Sequence, residues 1–539
     1  MKFTTIILFF SFVLGQSNDL PFDWSGQFGM TSINGRLFWN TDWTSGPLLF
    51  DGTFSHYPKR YGKNIITQFS PFTIHQIPLT NYTYPDSTYI TTTLDYIRGD
   101  YNYDKLVIDV DYETARRYAG LHLFKRSYAG REGQFFHPLG LSTPMQQSYK
   151  VDYRSQQNEW LIEAAAARFV TESGLPDSGD ANGLLEDEIL STGLLTQSPS
   201  EKLQWTSHFA VFQQWRRMDV SWYSNRKKQF INRTRWHQQL DGMSFGGLNP
   251  LLGLNMNMQS ISKNDSTSRN IKWHTLYAQI NLMGFKTSLG LTQIATKLVD
   301  YIAIDFTKSW DKFNIRALFE ESSKPHHFNL ISFGDGIVKN RFAHVKIKSV
   351  FGRANIGLTA DYSSMVYDEK EYVTFQTGIL VHTKLFKQFT FSGSYFNREG
   401  GTLLFDGIHD IATFDLHYSN KNVINRFALK MGLSGEGLLN REQSIGFDPI
   451  DSFPYEYMVI SSDELADIWL LNAEVAVTIS SMTITWSVRN ILQAIEPTSL
   501  KLFPEKETGD FLIQHNPNNP TFPSMGRMVM LGIHWTFKD

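Results

Sequence analysis

The sequence has no cysteine, few charged residues and no long apolar run beyond its first residues. Without cysteine the chain has neither a disulfide framework nor the residue that carries a lipoprotein anchor. A helix that crosses a bilayer needs about 20 apolar residues in a row, and no later stretch provides them. These absences argue against a disulfide-stabilised scaffold and against a helical membrane protein.

The content of charged residues is low at 19%, and the formal net charge is -3 at pH 7. A protein that binds nucleic acid needs a basic surface to meet the phosphates. We therefore expect no nucleic-acid partner. Aromatic residues, in contrast, are abundant at 14%, with 41 Phe, 23 Tyr and 13 Trp. Many aromatic residues and few charges are typical of a membrane β-barrel with aromatic belts.

The first residues predict export. Lys2 is followed by an apolar core that ends at Gly15, which is the pattern of a signal peptide cleaved near Gln16. We therefore predict residues 1–15 as a signal peptide. An exported chain without helical spans or a lipid anchor is secreted, periplasmic or an outer-membrane barrel.

The last residues alternate strictly between apolar and mixed positions, as a strand with one apolar face does. The apolar face consists of Val529, Leu531, Ile533, Trp535 and Phe537. The other face consists of Met528, Met530, Gly532, His534 and Thr536. A soluble sandwich could also use such a strand. The same alternation recurs along the chain, however, with Ala343, Val345 and Ile347 against His344, Lys346 and Lys348 as one example.

The C-terminal region carries a more specific pattern. Trp486 to Leu492 ends a strand, a loop rich in Pro and Asn follows, and Phe522 to Met528 leads into the last strand. These roughly 55 residues resemble the end of a TonB-dependent-receptor-type outer-membrane barrel. The resemblance implies a bacterial outer-membrane location, contact with outer-membrane lipid, and a C-terminal signal, Trp535 and Phe537, for the barrel-assembly machinery. Lys538 and Asp539 depart from the family, which ends on the aromatic residue.

We expect an all-β fold, a transmembrane antiparallel β-barrel over residues 87–539 with about 20 to 22 strands, short periplasmic turns and long external loops. The expected tight turns are Asp100 to Asp104, Met283–Gly284, Trp310–Asp311, Phe351 to Arg353, Ser419 to Asn422 and Ser480–Ser481. The expected long loops are Glu172 to Pro199, Asn232 to Pro250, Glu436 to Asp463 and Glu496 to Pro523.

Residues 16–86 have a poor strand pattern that is broken by several prolines, although Trp24 to Asn40 is compatible with a strand or hairpin. This irregular segment is too short, and too poor in the family's motifs, for a full plug domain. We therefore expect a plugless, porin-like relative of the receptors. The segment is a candidate lumen filler, with Trp24, Phe38, Trp39 and Trp43 packing against the wall.

Basic residues concentrate between Arg116 and Arg131. On a strand with Leu121 and Leu123 outward, Gly120, His122 and Phe124 face the lumen. A ring of cations selects anions in a pore, so the candidate selectivity residues are Arg116, Arg117, His122, Arg126, Arg131, Lys346 and Lys348. Contacts with lipid head groups, or pairing with Asp109, Asp111 and Glu113, would explain the same cations.

Other chemistry has little support. Asp177, Asp180 and Asn182 lie in an oxygen-rich loop that lacks the spacing of the twelve-residue calcium hand. The histidines lack the spacing of a zinc site, so no metal and no cofactor are expected. No Gly-x-Ser-x-Gly motif is present. A barrel enzyme would have to recruit His122, Ser127 and Asp109, and we expect no enzyme.

Three functions remain compatible with these features. The first is passage of a small solute through a porin-like or receptor-like barrel. The second is a sealed barrel whose loops anchor a surface protein or complex. The third is a barrel-embedded hydrolase. The sequence does not identify the solute or the surface partner.

Overall fold

Alternating residues form strands throughout the chain, and in a computed structural model these strands close into one antiparallel β-barrel. The structure describes residues 30–33, 36–39, 87–127, 135–136, 145–157, 160–176, 183–198, 203–220, 227–242, 249–264, 267–325, 337–367, 370–400, 408–424, 427–441, 445–448, 453–456, 467–489, 491–492, 515–516, 519–523 and 527–539. Among these residues, no helix has the length and hydropathy needed to cross a bilayer.

The barrel has 22 strands, which confirms the expected number. In chain order they are β1 Tyr89–Gly99, β2 Asp104–Thr114, β3 Arg117–Ser127, β4 Met145–Gln157, β5 Trp160–Pro176, β6 Gly183–Gln197, β7 Gln204–Val220, β8 Lys227–Asp241, β9 Leu251–Lys263, β10 Thr267–Leu282, β11 Phe285–Ile294, β12 Lys297–Trp310, β13 Phe313–Pro325, β14 Ile337–Phe351, β15 Ala354–Tyr367, β16 Lys370–Lys384, β17 Phe389–Gly400, β18 Ile408–Ile424, β19 Phe427–Arg441, β20 Ile468–Ile479, β21 Met482–Arg489 and β22 Met528–Lys538.

Each strand pairs with its neighbours in sequence, and β22 closes the ring by pairing with β1. The register of this closing pair places Leu531 opposite Arg98 and Trp535 opposite Leu94. The ladder continues to the chain end, because the backbone of Asp539 both donates to and accepts from Ile90. Lys538 and Asp539, the two residues that depart from the family pattern, therefore extend the seam.

Small additional hairpins accompany the barrel. Met30–Ile33 pairs with Arg36–Trp39, Ile445–Asp448 pairs with Phe453–Glu456, and His515–Asn516 pairs with Asn519–Pro523. The first of these lies where the sequence suggested a hairpin. Of the lumen-filler candidates, Trp24 and Trp43 lie outside the described residues, as do the side chains of Phe38 and Trp39.

The two ends of the barrel differ in the length of their connections. One end, here the short-turn end, carries tight connections such as 115–116, 283–284, 311–312, 352–353 and 480–481. The opposite end, here the long-loop end, carries 128–144, 326–336, 442–467 and 490–527. This asymmetry confirms the expected arrangement. Tyr89 and Asp539, the two ends of the barrel chain, both lie at the short-turn end.

Several expected joints are wrong in detail. Ser419 to Asn422 is not a turn but part of β18, where a register shift between Asn420 and Ile424 replaces it. The expected loop Glu172 to Pro199 contains all of β6, and Asn232 to Pro250 contains the last two-thirds of β8. The turn at 100–103 is tight, with positive φ at Tyr101 and Asn102, but it lies at the long-loop end. Polar strands resemble loops in composition, which explains these errors.

The outer face of the barrel is mainly apolar and the inner face is mainly polar. On β22, Val529 and Leu531 are each 44% exposed, whereas the inward Met528 and Met530 are buried. The predicted face assignment of this strand is therefore correct. Aromatic residues follow the short-turn end on the outer face, among them Phe285, Trp310, Phe313, Phe389 and Trp535. Apolar bands bordered by aromatic residues are the outer surface that a bilayer requires of a barrel.

Inward aromatic rings lie across glycines of the neighbouring strand. The ring of Tyr277 on β10 covers Gly253 on β9, where an added Cβ would lie 2.1 Å from the ring. Phe396 on β17 covers Gly378 on β16 in the same way, at 2.3 Å. A ring laid over a cross-strand glycine restores apolar contact that glycine alone cannot make. These pairs fix the position of large side chains against the wall.

Candidate functional site: the inner wall of the barrel

The inner wall of β2 to β5 carries an ionic network, here called the His122 network, of Asp109, His122, Lys150 and Asp152. His122 lies between two carboxylates, with Nδ1 2.8 Å from Asp109 Oδ1 and Nε2 2.8 Å from Asp152 Oδ1. Lys150 Nζ lies 3.4 Å from the second oxygen of Asp152. Both ring nitrogens of His122 therefore have a carboxylate partner, one on each neighbouring strand.

A second contact chain lies beside it on the same strands. Tyr118 donates to Asp111 at 2.6 Å, and its ring lies 5.9 Å from the guanidinium carbon of Arg154. Arg154 Nε donates in turn to Glu163 Oε1 at 2.5 Å. Opposite charges alternate along this part of the wall. It therefore presents paired charges rather than a uniformly basic surface.

The wall of β7 to β10 differs, because amides, arginines and histidines line it. Arg235 Nε donates to Asn255 Oδ1 at 3.1 Å, and the guanidinium of Arg233 lies 5.5 Å from the Trp273 ring. His237 Nε2 lies 3.0 Å from the Tyr277 hydroxyl, which reaches it by crossing Gly253. Guanidinium, imidazole and amide groups together bind anionic or hydrogen-bonding solutes.

A third group lies half a ring away from the His122 network, on β12 to β16. His344 Nδ1 lies 2.7 Å from Asp361 Oδ1, and Gln376 donates to the other oxygen of Asp361 at 3.3 Å. Closer to the short-turn end, Arg316 on β13 forms a bidentate pair with Asp305 on β12. Lys346 lies opposite Arg316 in register. The three groups make the inner wall ionisable over much of its circumference.

Burial of the inner wall is uneven. Phe212 and His237 on β7 and β8 and Glu320 on β13 are 0% exposed. Inward side chains of the arc that contains the seam are open by comparison, since Lys430, Glu474 and His534 are exposed. Met528 and Met530, further along the seam strand toward the long-loop end, are buried. Burial of the inner wall therefore varies along the strands as well as around the ring.

The predicted selectivity residues do not form one ring. His122 is buried in the wall, as expected from Leu121 facing outward. Arg116 lies exposed in the 115–116 turn, and Arg117 shares the outward face of Leu121 rather than the lumen face. The side chain of Arg126 and all of Arg131 lie outside the described residues. Lys346 and Lys348 face the lumen on β14, on the opposite side of the barrel.

The candidate catalytic set is not assembled. His122 contacts Asp109, as a hydrolase would need, but its other nitrogen is occupied by Asp152. Ser127 lies five residues further along β3, opposite Asp104, about 16 Å away along the strand. The described His122 environment therefore offers no nitrogen to activate Ser127. The calcium-loop residues Asp177, Asp180 and Asn182 lie outside the described part of the chain.

No protein-family model and no curated protein matches this chain. Solved structures do match. The FrpB iron transporter from Neisseria meningitidis superimposes with a TM-score of 0.63 at 10% identity, covering 84% of this chain and 82% of that one. The likeness is one of fold.

Two further structures give the same result. The copper transporter OprC has a TM-score of 0.60 at 10% identity, covering 84% of this chain and 80% of its own. The ferric yersiniabactin uptake receptor FyuA from Yersinia pestis has a TM-score of 0.58 at 10% identity, with the same coverage of 84% and 80%. The expected outer-membrane-type barrel fold is thus shared with these transporters and this receptor, and the match extends over most of each chain.

Sequence reasoning missed the inner-wall residues of β7 to β10. Arg233, Arg235, His237 and Asn255 occur in segments that read as polar, loop-like stretches. The available signal was the alternation of Phe230, Trp236 and Leu240 with these residues, which places them on the opposite face. Strand register, which a single sequence does not define, was also needed to show which of these residues lie beside each other on neighbouring strands.

Proposed function

We propose that this chain is a bacterial outer-membrane barrel through which a small solute crosses the membrane, in a porin-like or receptor-like manner. One observation carries the proposal: a closed 22-strand ring combines an apolar, aromatic-bordered outer face with an ionisable inner wall. A ring of this size encloses either an aqueous channel or a lumen that must be filled. The fold matches named transporters of iron and copper, which supports solute uptake.

In this proposal the short-turn end faces the periplasm and the long-loop end faces outward, as in bacterial barrels generally. We propose that residues 16–86, which precede β1 in the chain, act as a lumen filler. The burial of Phe212 and His237 on β7 and β8 and of Glu320 on β13 supports a filled lumen. We propose a filler in a plugless barrel, because the segment is too short and too poor in the family's motifs for a full plug domain.

The same burial favours a second candidate, a sealed barrel whose loops anchor a surface protein or complex. A wall that stays covered passes no solute, and the long connections 442–467 and 490–527 would supply the docking surface. Conductance separates the two candidates.

The test is single-channel conductance in a planar bilayer of the chain from Gln16 and of a version that starts at Ser87. We expect the shorter version to conduct steadily and the longer one to stay closed or to open only briefly. A full chain that conducts steadily would identify an open porin and remove the lumen filler. If neither version conducts although both fold, solute passage is wrong and the anchoring function replaces it.

A further inference from the structure

The lipid-facing surface of the barrel is not uniform. On β14 and β15 the outward residues at mid-height are all apolar: Ala343, Val345, Ile347, Ile356, Leu358 and Ala360. On β7 and β8 the outward residues between the aromatic borders Trp205 and Trp215 include Ser207, Gln213, Asn232, Thr234 and Gln238. Outward orientation is shown by their neighbours on the same face, since Phe209 and Trp236 are exposed while the alternate residues are buried.

These side chains line up across strands. Gln213 lies opposite Asn232, Asn232 opposite Ser260, and Ser260 opposite Asn270, so a polar row crosses β7 to β10. This set of four residues is here called the amide row. The row lies one step below the Trp215–Phe230 pair, whose ring centroids are 5.2 Å apart. An aromatic pair on the outer face marks the interface of a membrane barrel, so the amide row lies within the band that lipid would otherwise cover.

Closer to the short-turn end on the same face, polar side chains form hydrogen bonds with one another. Trp205 Nε1 donates to Gln238 Oε1 at 2.7 Å, and Gln238 Nε2 donates to Ser207 at 2.6 Å. In the amide row itself, Ser260 donates to Asn270. A side-chain amide has two donors and two acceptor sites, so a single contact does not saturate Asn270. The Oδ1 atom of Asn232 is buried, so its amide nitrogen is the group that it brings to the row. Lipid tails offer nothing to bind, which makes amide groups costly at this depth.

We infer that the outward face of β7 to β10 is an interface with a second copy of this chain. Amides donate and accept equally, so a patch of them complements itself across a two-fold axis, where each residue meets the same surface. Polar side chains between membrane segments act as such contacts because the alternative partner is hydrocarbon. The inference rests on the proposed membrane location.

The area of this face corresponds to a small interface. Four strands spaced about 4.8 Å apart and a band about 25 Å tall give a flat footprint of about 480 Å² per copy, or about 960 Å² in total, near the lower limit of about 1,000 Å² for a specific interface. A dimer in the plane of the membrane is the assembly that this area supports.

Because the chain has no cysteine, a single introduced thiol is unique. Thr234→Cys places it beside the amide row, and Leu358→Cys places it on the apolar face of β15 as a matched control. After folding into phosphatidylcholine vesicles, a short bifunctional maleimide should join two Thr234→Cys chains and leave Leu358→Cys chains single. Equal crosslinking of both variants at dilute protein would contradict the inference.

A second measurement addresses the amides directly. The variant Gln213→Leu, Asn232→Leu and Asn270→Leu suits lipid better than the native face, so it should fold while its dimer dissociation constant rises about tenfold or more. The compact band of folded barrel on unheated gels reports folding separately. A folded native chain that stays monomeric in vesicles, or crosslinks only to another protein in native membranes, overturns the inference and leaves the proposed function intact. Loss of the compact band in every chain, native included, overturns both.

Discussion

His122 illustrates how one side chain can hold several strands together. Its ring joins Asp109 on β2 to Asp152 on β4 from its own position on β3. Removing one member of a buried charge network leaves the others uncompensated, which costs more than the network contributes when complete. We expect His122→Leu to destabilise the barrel by about 3–5 kcal/mol, measured as the urea concentration at which the compact band disappears.

Two variants separate this effect from simple loss of a side chain. His382→Leu removes one contact to the Ser392 hydroxyl, at 2.8 Å, and should cost only about 1 kcal/mol. Adding Asp109→Asn to His122→Leu removes the carboxylate that has lost its histidine, whereas Asp152 keeps its pair with Lys150, so part of the loss should be recovered. No recovery in the double variant would show that packing, not charge, explains His122.

Gly253 is a second residue whose identity follows from its neighbour. An added Cβ there would lie 2.1 Å from the Tyr277 ring, so the ring would have to leave its place and its bond to His237. We expect Gly253→Ala to lower stability by about 1–3 kcal/mol, measured by loss of the compact band on heating.

Gly532 on β22 is the matched control, because a Cβ there would meet Ile97 at 3.3 Å, a contact that a small shift relieves. Gly532→Ala should therefore lie close to the native chain. Similar melting of the two variants would show that glycine flexibility, and not the ring laid over Gly253, accounts for the effect.

At the scale of the element, β22 has two roles: it closes the ring, and its last residues form the predicted assembly signal. Trp535 and Phe537 stack on the outer face with ring centroids 4.2 Å apart. We expect deletion of Phe537 to Asp539 to reduce the folded fraction in cells severalfold. In-vitro refolding should suffer less, because it needs no recognition. The measurement is the ratio of compact to unfolded band in isolated outer membranes and after refolding.

Deletion of Lys538 and Asp539 alone separates the roles. It removes the backbone contacts of Asp539 with Ile90 and the contact of Lys538 with the Tyr89 ring, at 4.4 Å, but keeps the aromatic pair. Assembly in cells should stay near the native level. An equal loss from both deletions would mean that the seam, and not the aromatic signal, limits assembly.

Whether a strand could be predicted depended on the polarity of its outward residues. Strands with apolar outward residues, such as β14 and β22, were predicted correctly because hydrophobic alternation reports directly on burial. Strands with a polar outer face, such as β6 and β8, were mistaken for loops. The barrel and its strand number were predictable from the repeated alternation. The inner-wall contacts were not, because they join residues such as His122 and Asp152 through register that depends on the closed ring.

For the whole molecule, the distribution of lumen charge predicts ion preference once the lumen is open. Lys346 and Lys348 face inward on β14 near the short-turn end, whereas Arg117 faces outward. In the version from Ser87, we expect Lys346→Glu with Lys348→Glu to shift the reversal potential in a salt gradient toward cations. Arg117→Glu is the matched control and should leave the potential almost unchanged. A larger shift from Arg117→Glu would contradict the assignment of faces.

The pairing of β22 with β1 has a consequence for the order of events in folding. Asp100 on the first hairpin binds the backbone of Val529, 429 residues away in sequence, so the ring cannot close until the chain is complete. The seam itself is not special, because the ends meet in an ordinary ladder at Ile90 and Asp539. Joining 539 to 87 by a short linker and cutting at 283–284 should therefore give a permuted chain that refolds in vitro, where no assembly signal is needed, into the same barrel. The first and last strands would then be β11 and β10, and any two adjacent strands could carry the ends of the chain.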